Sequence, residues 1–273
     1  MVLTNAQITA FFTANVQMAL PVATFNQLLV EGIQTVSDLL DFDKDSLDQV
    51  ANNLRRPAGG VGPFTFGAKS HKRLLASTKL VKYYDTVGRS LTASNILWNS
   101  VGRNFESQWE AIEKKKEKDD PDTPVISKEL PIIKWVEAFR DHLNRCIGVR
   151  YVPLAYVVRE DEAVPAVVPA LVPNQSYSVE HGSIEDELIA RADHTNGLFR
   201  NDNATVYFKL EEATRGTQYA ATIKPCQRTR NGRKAFLSLK KQFAGVDKWE
   251  LELRKQDSIL HNRKWRGQGN YTL

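Results

Sequence analysis

The segment formed by residues 62–70 comes closest to a catalytic motif, because its glycines and its lysine resemble a phosphate-binding loop. That loop needs a glycine followed directly by lysine and then by serine or threonine, and it follows a buried strand. Here Ala68 stands directly before Lys69, and Pro63 removes a backbone amide that would contact a phosphate. The segment therefore does not predict nucleotide hydrolysis.

The histidines and cysteines have no spacing that is typical of a metal site or of an activated nucleophile. A cluster of His181, Glu185 and His194 can be drawn, but the favoured interpretation is two solvent-exposed histidines and a carboxylate that caps a helix. The two cysteines, Cys146 and Cys226, cannot form a disulfide framework or a four-cysteine zinc site, and we interpret them as buried thiols. The sequence predicts no enzyme active site, no metal and no cofactor.

Basic side chains are concentrated in the C-terminal third of the chain. Residues 200–273 contain 16 Lys and Arg against 7 Asp and Glu, a net charge of +9, whereas residues 1–199 carry a net charge of −4. Such a region attracts phosphates, although a solvated surface that keeps the protein soluble has the same pattern. The densest run has seven basic residues and no acidic one: Lys224, Arg228, Arg230, Arg233, Lys234, Lys240 and Lys241.

Helix signals dominate the elements that must position these residues. In residues 1–56, Gly32 is placed to end one helix, Thr35 and Asp38 form a capping box, and Asp43 is a good N-cap for a further helix. These signals predict a small bundle of short helices, similar to a helix-hairpin-helix or sterile-alpha-motif unit.

The middle region, residues 64–160, is also predicted to be helical, with an extended arm at residues 151–158. Val101, Phe105, Trp109 and Ile112 form a stripe at helical spacing that we interpret as core. The helices are expected at about residues 68–87, 92–118 and 127–146.

Three prolines close to one another make residues 161–176 a stiff linker, and we place the main domain boundary there. Beyond it, residues 177–273 are expected to form a basic helical domain, in which Trp249, Leu253 and Leu260 make an apolar stripe. The fold class predicted for the whole chain is all-α, built from multi-helix bundles. The C-terminal helices are expected at about residues 180–193, 202–223, 232–244 and 247–264.

The composition and the N-terminal sequence limit the class of protein. Apolar residues make up 42% and charged residues 25%, which is typical of a folded globular chain. The chain start has no basic segment followed by an apolar run, and no stretch reaches the ~18 apolar residues of a membrane span. We expect a cytoplasmic or nuclear location and no membrane partner.

A family resemblance appears in the C-terminal third. Ala235, Phe236, Leu239 and Phe243, followed by the leucines of the next helix and by a polar turn at residues 267–273, resemble the Gag polypeptide of copia-type long-terminal-repeat retrotransposons. In that family an Ala-aromatic-x-x-Leu-x-x-x-aromatic helix precedes a leucine-bearing helix, a polar turn and a tyrosine-bearing helix. The stretches 181–188, 210–217 and 261–268 also look like Gag-like proteins of such elements in algae, particularly diatoms.

The resemblance implies a structural protein with helical capsid domains that self-assembles into homo-oligomeric particles and packages element RNA. Basic side chains would then neutralise the phosphates of single-stranded RNA without reading its sequence, and an exposed Trp265 would stack on an unpaired base. The zinc knuckle of the family is absent, and the chain ends where the family continues into another helix, so a truncated copy is expected. To the seven cations above, the resemblance adds Arg263, Lys264 and Arg266 as candidate RNA-binding residues.

Two alternatives remain open at the level of sequence. The first is a host protein-interaction scaffold or adaptor, helical and without catalytic activity, that uses residues 1–56 and the proline-rich linker. It predicts a defined protein partner and weak, non-cooperative RNA binding. The second is an enzyme whose site is assembled from dispersed residues, which would require a convergent polar pocket.

Overall fold

The computed structural model describes residues 5–14, 18–56, 63–90, 103–161, 163, 168 and 176–262, apart from the side chains of 5–7, 103, 104, 246, 247, 249, 252, 256, 260 and 262. Within these ranges the regular structure is α-helical, three short 3-10 helices aside, and the only β-pairing is one isolated bridge between Ile147 and Pro153. The predicted all-α class is confirmed. None of the described helices is long and apolar enough to cross a bilayer. The helices are α1 (Asn5–Thr13), α2 (Val22–Val30), α3 (Lys44–Arg55), α4 (Ala68–Thr86), α5 (Arg103–Lys116), α6 (Ile132–Arg145), α7 (Ile184–Ala190), α8 (Asn196–Thr214), α9 (Ala220–Ile223), α10 (Gly232–Phe243) and α11 (Val246–Asn262).

The end of α2 follows its sequence signal. Gly32 adopts a φ of +94°, and its amide donates to the carbonyl of Leu29 at 3.3 Å. The next amide, that of Ile33, donates to the carbonyl of Leu28 at 3.0 Å. These two bonds make a Schellman motif, which satisfies carbonyls that the helix itself leaves free. The predicted stop at Gly32 is confirmed.

The two predicted start signals that follow are also present. Asp38 accepts a hydrogen bond from the amide of Thr35 at 2.5 Å, and its own amide donates to the Thr35 hydroxyl at 3.3 Å. This capping box opens only a single 3-10 turn, Ser37–Leu40. Asp43 caps α3 as predicted, because its carboxylate accepts from the amide of Ser46 at 2.8 Å.

The described chain divides into two compact units. The first unit comprises residues 1–119, 150–152 and 163–195, and within it α4 packs against α3 and α5, while α5 packs against α7. Phe105, Trp109 and Ile112 are buried on α5, as the stripe predicted. Val101 lies outside the described residues.

A buried carboxylate, Glu187 on α7, ties the first unit together. Its oxygens accept hydrogen bonds from the Tyr83 hydroxyl at 2.6 Å, from Arg89 at 2.5 Å and from Arg191 at 3.0 Å. The Ser178 hydroxyl and amide add two more bonds, at 2.8 and 3.0 Å. Burial by itself would raise the pKa of Glu187, but these donors lower the pKa to about 2. Glu187 is therefore a paired buried anion at neutral pH.

The second unit comprises residues 120–149, 153–162 and 196–273, and α8 packs closely against α10 within it. The extended arm predicted for residues 151–158 is wrong, since Leu154–Val158 is a 3-10 helix that packs against α6, α8 and α10. Its apolar side chains are almost all buried, and the Tyr156 hydroxyl donates to Asp202 at 3.0 Å. Burial of these side chains in the core favours the compact turn over an extended arm.

Three of the predicted helix bounds are corrected. α6 begins at Ile132 rather than near residue 127, because the residue before Pro131 is biased away from helical geometry. The single helix expected at about 202–223 is two helices, since Gly216 turns the chain with a φ of +73° between α8 and α9. α8 also begins earlier, at Asn196, whose side chain accepts from the amide of Phe199 at 3.2 Å.

Two further predictions concern regions that the described residues cover only in part. Most of the proline-rich linker, residues 161–176, lies outside them. The division into segments 1–56, 64–160, 161–176 and 177–273 stays a prediction, because compactness alone does not test whether a segment folds by itself. On α11, Leu253 is 56% exposed, so this member of the predicted stripe is not packed within the chain.

Candidate nucleic-acid interface

The densest part of the basic run covers the connection between α9 and α10 and the first three residues of α10. We call these residues, 224–234, the basic turn. It starts with the 3-10 helix Lys224–Cys226, whose Cys226 side chain is buried. The carbonyl of Cys226 accepts from the Asn231 amide at 3.3 Å and from the Thr229 hydroxyl at 3.2 Å. Burial raises the pKa of the Cys226 thiol, so that it stays neutral and serves as an anchor.

Two asparagines fasten the end of the basic turn to α8. The Asn203 side chain accepts from the amide of Arg233 at 2.8 Å and donates to the Asn231 side chain at 3.3 Å. Asn231 in turn caps α10 by accepting from the amide of Lys234 at 2.9 Å. These bonds fix the position of the backbone that carries the cations.

Gly232 permits this attachment. A Cβ at this residue would stand 2.5 Å from the carbonyl oxygen of Asn203 and 2.5 Å from the backbone nitrogen of Tyr207. Only a residue without a side chain fits here, so the first turn of α10 lies directly on the backbone of α8.

Four cations of the basic turn face solvent: Lys224, Arg228, Arg230 and Lys234. Among the described residues, none of these four side chains lies within 4.0 Å of a carboxylate. Their charge is therefore available to an external anion. Lys241, near the end of α10, is exposed in the same way.

Arg233 and Lys240 of the same run have a different role. The Arg233 guanidinium donates to the carbonyls of Arg159 and Glu160 at 3.1 and 2.8 Å, and Lys240 forms an ion pair with the Glu160 carboxylate. Residues seven apart share one side of an α-helix, so both side chains reach the same segment. Lys234 and Lys241 follow them by one residue and lie about 100° further round the helix. The structure thus separates two bound cations from five that have no carboxylate partner in the described part of the chain.

Phe208 adds an aromatic ring to this surface, and sequence analysis did not identify it. The ring is 48% exposed, and the Arg230 guanidinium carbon lies 5.1 Å from its centroid. Arg230 adopts a φ of +48°, in the left-handed region that non-glycine residues seldom occupy. A signal was present in the sequence, because Phe208 falls two residues after Val206 and thus off the buried stripe of α8.

Four predicted RNA-binding residues fall outside the described residues. Three are the cations of the C-terminal end, and the fourth is the tryptophan that was expected to stack on a base. They are Arg263, Lys264, Trp265 and Arg266.

The histidine positions correct one interpretation. His194 is buried rather than solvent-exposed, and its Nδ1 accepts a hydrogen bond from the amide of Ala163 at 3.0 Å. His181 is partly buried, with its Nε2 3.2 Å from Glu180. In the described part of the chain, no group of three or more His, Cys, Asp and Glu side chains is placed to hold a metal ion.

The arrangement that most resembles a nucleophile and its base is the pair formed by Cys146 and His142. The Cys146 sulfur lies 3.5 Å from His142 Nε2 and donates to the His142 carbonyl at 3.3 Å. Burial raises the pKa of the thiol and lowers the pKa of the imidazole, so both groups are neutral at pH 7. A buried neutral thiol is a poor nucleophile. We therefore interpret Cys146 and His142 as core residues at the end of α6.

A cleft of about 860 Å³ in the first unit also brings polar groups together. Its wall holds Tyr151, with a φ of +63°, whose ring centroid lies 4.1 Å from the Lys116 ammonium and 5.6 Å from that of Lys82. Four lysines and four carboxylates line the cleft in all, so it has no charge preference of the kind that the basic turn has.

Comparisons of the chain with protein-family models, with curated proteins and with solved structures gave no match.

Proposed function

We propose that this protein binds RNA without sequence preference, and that the basic turn supplies the phosphate contacts. The observation that carries the proposal is the set of four exposed cations on residues 224–234, none paired with a carboxylate among the described residues. Cations of this kind neutralise phosphates and release condensed counterions, which favours binding to any strand sequence. Contacts of this type position a nucleic acid but do not read its bases.

The charge of Lys234 in the first turn of α10 supports the proposal, because helix stability does not explain it. That turn contains no acidic side chain, and Lys234 is exposed, whereas Arg233 beside it is bound to the carbonyls of Arg159 and Glu160. Cations near the positive end of a helix dipole are unfavourable, by about 0.3–1 kcal/mol each. An anion at the same place would interact favourably with the dipole and with the side chains together. The arrangement therefore favours an anionic partner.

Fluorescence anisotropy with a labelled single-stranded RNA over a series of salt concentrations tests this proposal. The variant to compare with wild type is K224Q/R228Q/R230Q/K234Q. For single strands the slope of log K against log salt changes by about 0.7 for each phosphate contact, so we expect a slope smaller by about 3 in the variant. The affinity should fall at least tenfold.

The matched control is K69Q/K72Q/K114Q/K118Q, which removes four exposed lysines from the first unit. It changes the net charge of the protein by the same amount as the test variant. If both variants lose affinity equally, the binding depends on net charge alone and the basic turn is not the site. If neither changes the salt slope, the proposal is wrong.

A second function, self-association, has one specific observation in its favour. Leu251, Leu253 and Ile259 on α11 are 48%, 56% and 47% exposed, and burying them against a second copy of the chain would remove apolar surface from water. Self-association together with RNA binding describes a Gag-like packaging protein, which is the function that the sequence resemblance implies. The alternative is a scaffold whose α11 binds a different protein.

Light scattering after size-exclusion chromatography separates these two possibilities. A Gag-like protein should increase in mass with concentration and with added RNA, and L251S/L253S/I259S should remain smaller. The control is V30S/V179S, which changes two valines of the first unit that are each 74% exposed. A constant monomer mass at high concentration with RNA would favour the scaffold.

A further inference from the structure

We infer that Phe208 and Arg230 form a subsite that stacks on an unpaired nucleobase, so that the interface prefers single-stranded RNA to duplex RNA. This inference rests on the proposed function, because it concerns the same surface. It goes further in assigning a base contact to residues that the charge pattern alone does not identify.

The exposure of Phe208 is the first observation. The flanking Val206, Tyr207 and Leu210 are buried on α8, whereas the Phe208 ring is 48% exposed. An aromatic ring on the outer side of a helix contributes little to the core that lies on the other side. Tyr207 meets it only edge-on, at 6.2 Å between the ring centroids. Core packing therefore does not explain an aromatic residue at this position.

The backbone of Arg230 is the second observation. A φ of +48° is uncommon for a residue with a branched or long side chain, and such conformations are held in place by the surrounding structure. Here the two following residues, Asn231 and Gly232, are fixed on α8 by the hydrogen bond and the close approach described above. The Arg230 side chain is consequently directed over Phe208, with 5.1 Å between the guanidinium carbon and the ring centroid.

The combination of a planar cation and an aromatic ring fits an unpaired nucleotide. Bases stack on aromatic rings and on guanidinium planes, while the N–H groups at the guanidinium edge remain free to donate to a phosphate. In a duplex the bases are stacked on one another and their faces are not accessible. Lys234 and Arg228 would hold the neighbouring phosphates of the strand. The subsite should tolerate any base, since every base has a π-face.

Two conservative substitutions test the subsite. Phe208→Leu keeps an apolar side chain but removes the ring, and Arg230→Lys keeps the charge but removes the planar group. Affinities are measured at one salt concentration for a single-stranded RNA and for a duplex RNA of the same length. We expect Phe208→Leu to bind the single strand roughly tenfold more weakly and to bind the duplex as wild type does. Arg230→Lys should lose more affinity for the single strand than for the duplex.

Inorganic polyphosphate serves as a probe that carries phosphate charge but no base. Phe208→Leu should bind it with wild-type affinity, whereas K224Q/R228Q/R230Q/K234Q should not. A single strand that contains 2-aminopurine gives a direct readout, because stacking quenches its fluorescence. The quenching should be strong with wild type and weak with Phe208→Leu.

The outcomes distinguish this inference from the proposed function. If wild type binds RNA with a strong salt dependence and both variants bind the single strand unchanged, the stacking subsite is wrong and the phosphate interface stands. If Phe208→Leu weakens polyphosphate and single-stranded RNA equally, Phe208 acts only by holding Arg230, and the inference is again wrong. If wild type binds no RNA, the proposed function fails and the subsite fails with it.

Discussion

Charged side chains have opposite roles in the two units of this chain. In the first unit, Glu187 is fully buried and accepts hydrogen bonds from four side chains and from one backbone amide. In the second unit, the basic turn carries four exposed cations without a carboxylate partner among the described residues. Both groups contain arginines, but those around Glu187 are largely buried and paired, whereas Arg228 and Arg230 of the basic turn are exposed. Buried pairs organise a core, whereas exposed unpaired charges stay available to a ligand.

The largest effect should come from Glu187→Gln. This change removes the negative charge and leaves Arg89 buried without its counter-ion, which costs about 3–5 kcal/mol for a buried pair. Chemical denaturation of wild type and variant measures the difference in the free energy of unfolding. Glu185→Gln is the control, because Glu185 pairs with Lys115 at an exposed site and should cost at most about 1 kcal/mol. Equal effects of the two changes would mean that the buried pair contributes no more to stability than the exposed one.

The pH dependence of stability should follow the same carboxylate. The pKa of Glu187 is about 2 in the folded protein, against 4.5 for the free side chain. A lowered pKa stabilises the fold above pH ~4.5, and this contribution of about 3 kcal/mol is lost as the pH falls from ~4.5 towards ~2. The free energy of unfolding, measured by denaturation between pH 7 and pH 2.5, should decrease less in Glu187→Gln than in wild type. Parallel curves for the two proteins would show that another group dominates.

Gly232→Ala should destabilise the second unit by about 1–3 kcal/mol. The added Cβ meets backbone atoms of Asn203 and Tyr207, which cannot move as a flexible side chain can. Gly197→Ala on α8 is the control, since a Cβ there meets nothing within 4 Å and alanine favours the helix. Thermal unfolding of both variants measures the effect. Equal melting temperatures of the two variants would mean that α10 can move away from α8 to admit the added Cβ without losing stability.

The smallest effect should distinguish two neighbouring cations. Arg233→Met removes two hydrogen bonds to the carbonyls of Arg159 and Glu160 and should cost about 1 kcal/mol. Lys234→Met removes an exposed side chain that pairs with no carboxylate within the described ranges, and stability should change by less than about 0.5 kcal/mol. RNA affinity should show the reverse order, with the larger loss at Lys234. A larger stability cost at Lys234 would reverse the assignment of bound and free cations.

Sequence predicted the features whose causes lie within a few residues. The Schellman motif at Gly32 and the N-cap at Asp43 depend on hydrogen bonds between residues that are three or five positions apart, and the sequence predicts both. The stripe on α5 was equally readable because its period is that of the helix itself. α6 begins five residues after the predicted position 127, because Pro131 disfavours helical geometry in the residue before it.

The features that depend on distant residues could not be predicted. Tyr83 and Glu187 are 104 positions apart, and no local pattern connects them. The basic run was found, but its division into bound and free cations depends on where the 159–160 segment passes α10. The ring of Phe208 became part of the surface only because the backbone of Arg230 directs the guanidinium over it. In the sequence itself, the exposure of Phe208 is indicated by its position outside the buried stripe of α8.

The seven-residue spacing on α10 makes the phase of this helix as important as its composition. A one-residue deletion in the first turn of α10 would rotate every following side chain by about 100°. The rotation would exchange the cations that face the 159–160 segment and would turn the buried Ala235, Phe236 and Leu239 away from the core. Homologous chains should therefore tolerate changes in the composition of α10 more readily than changes in its length.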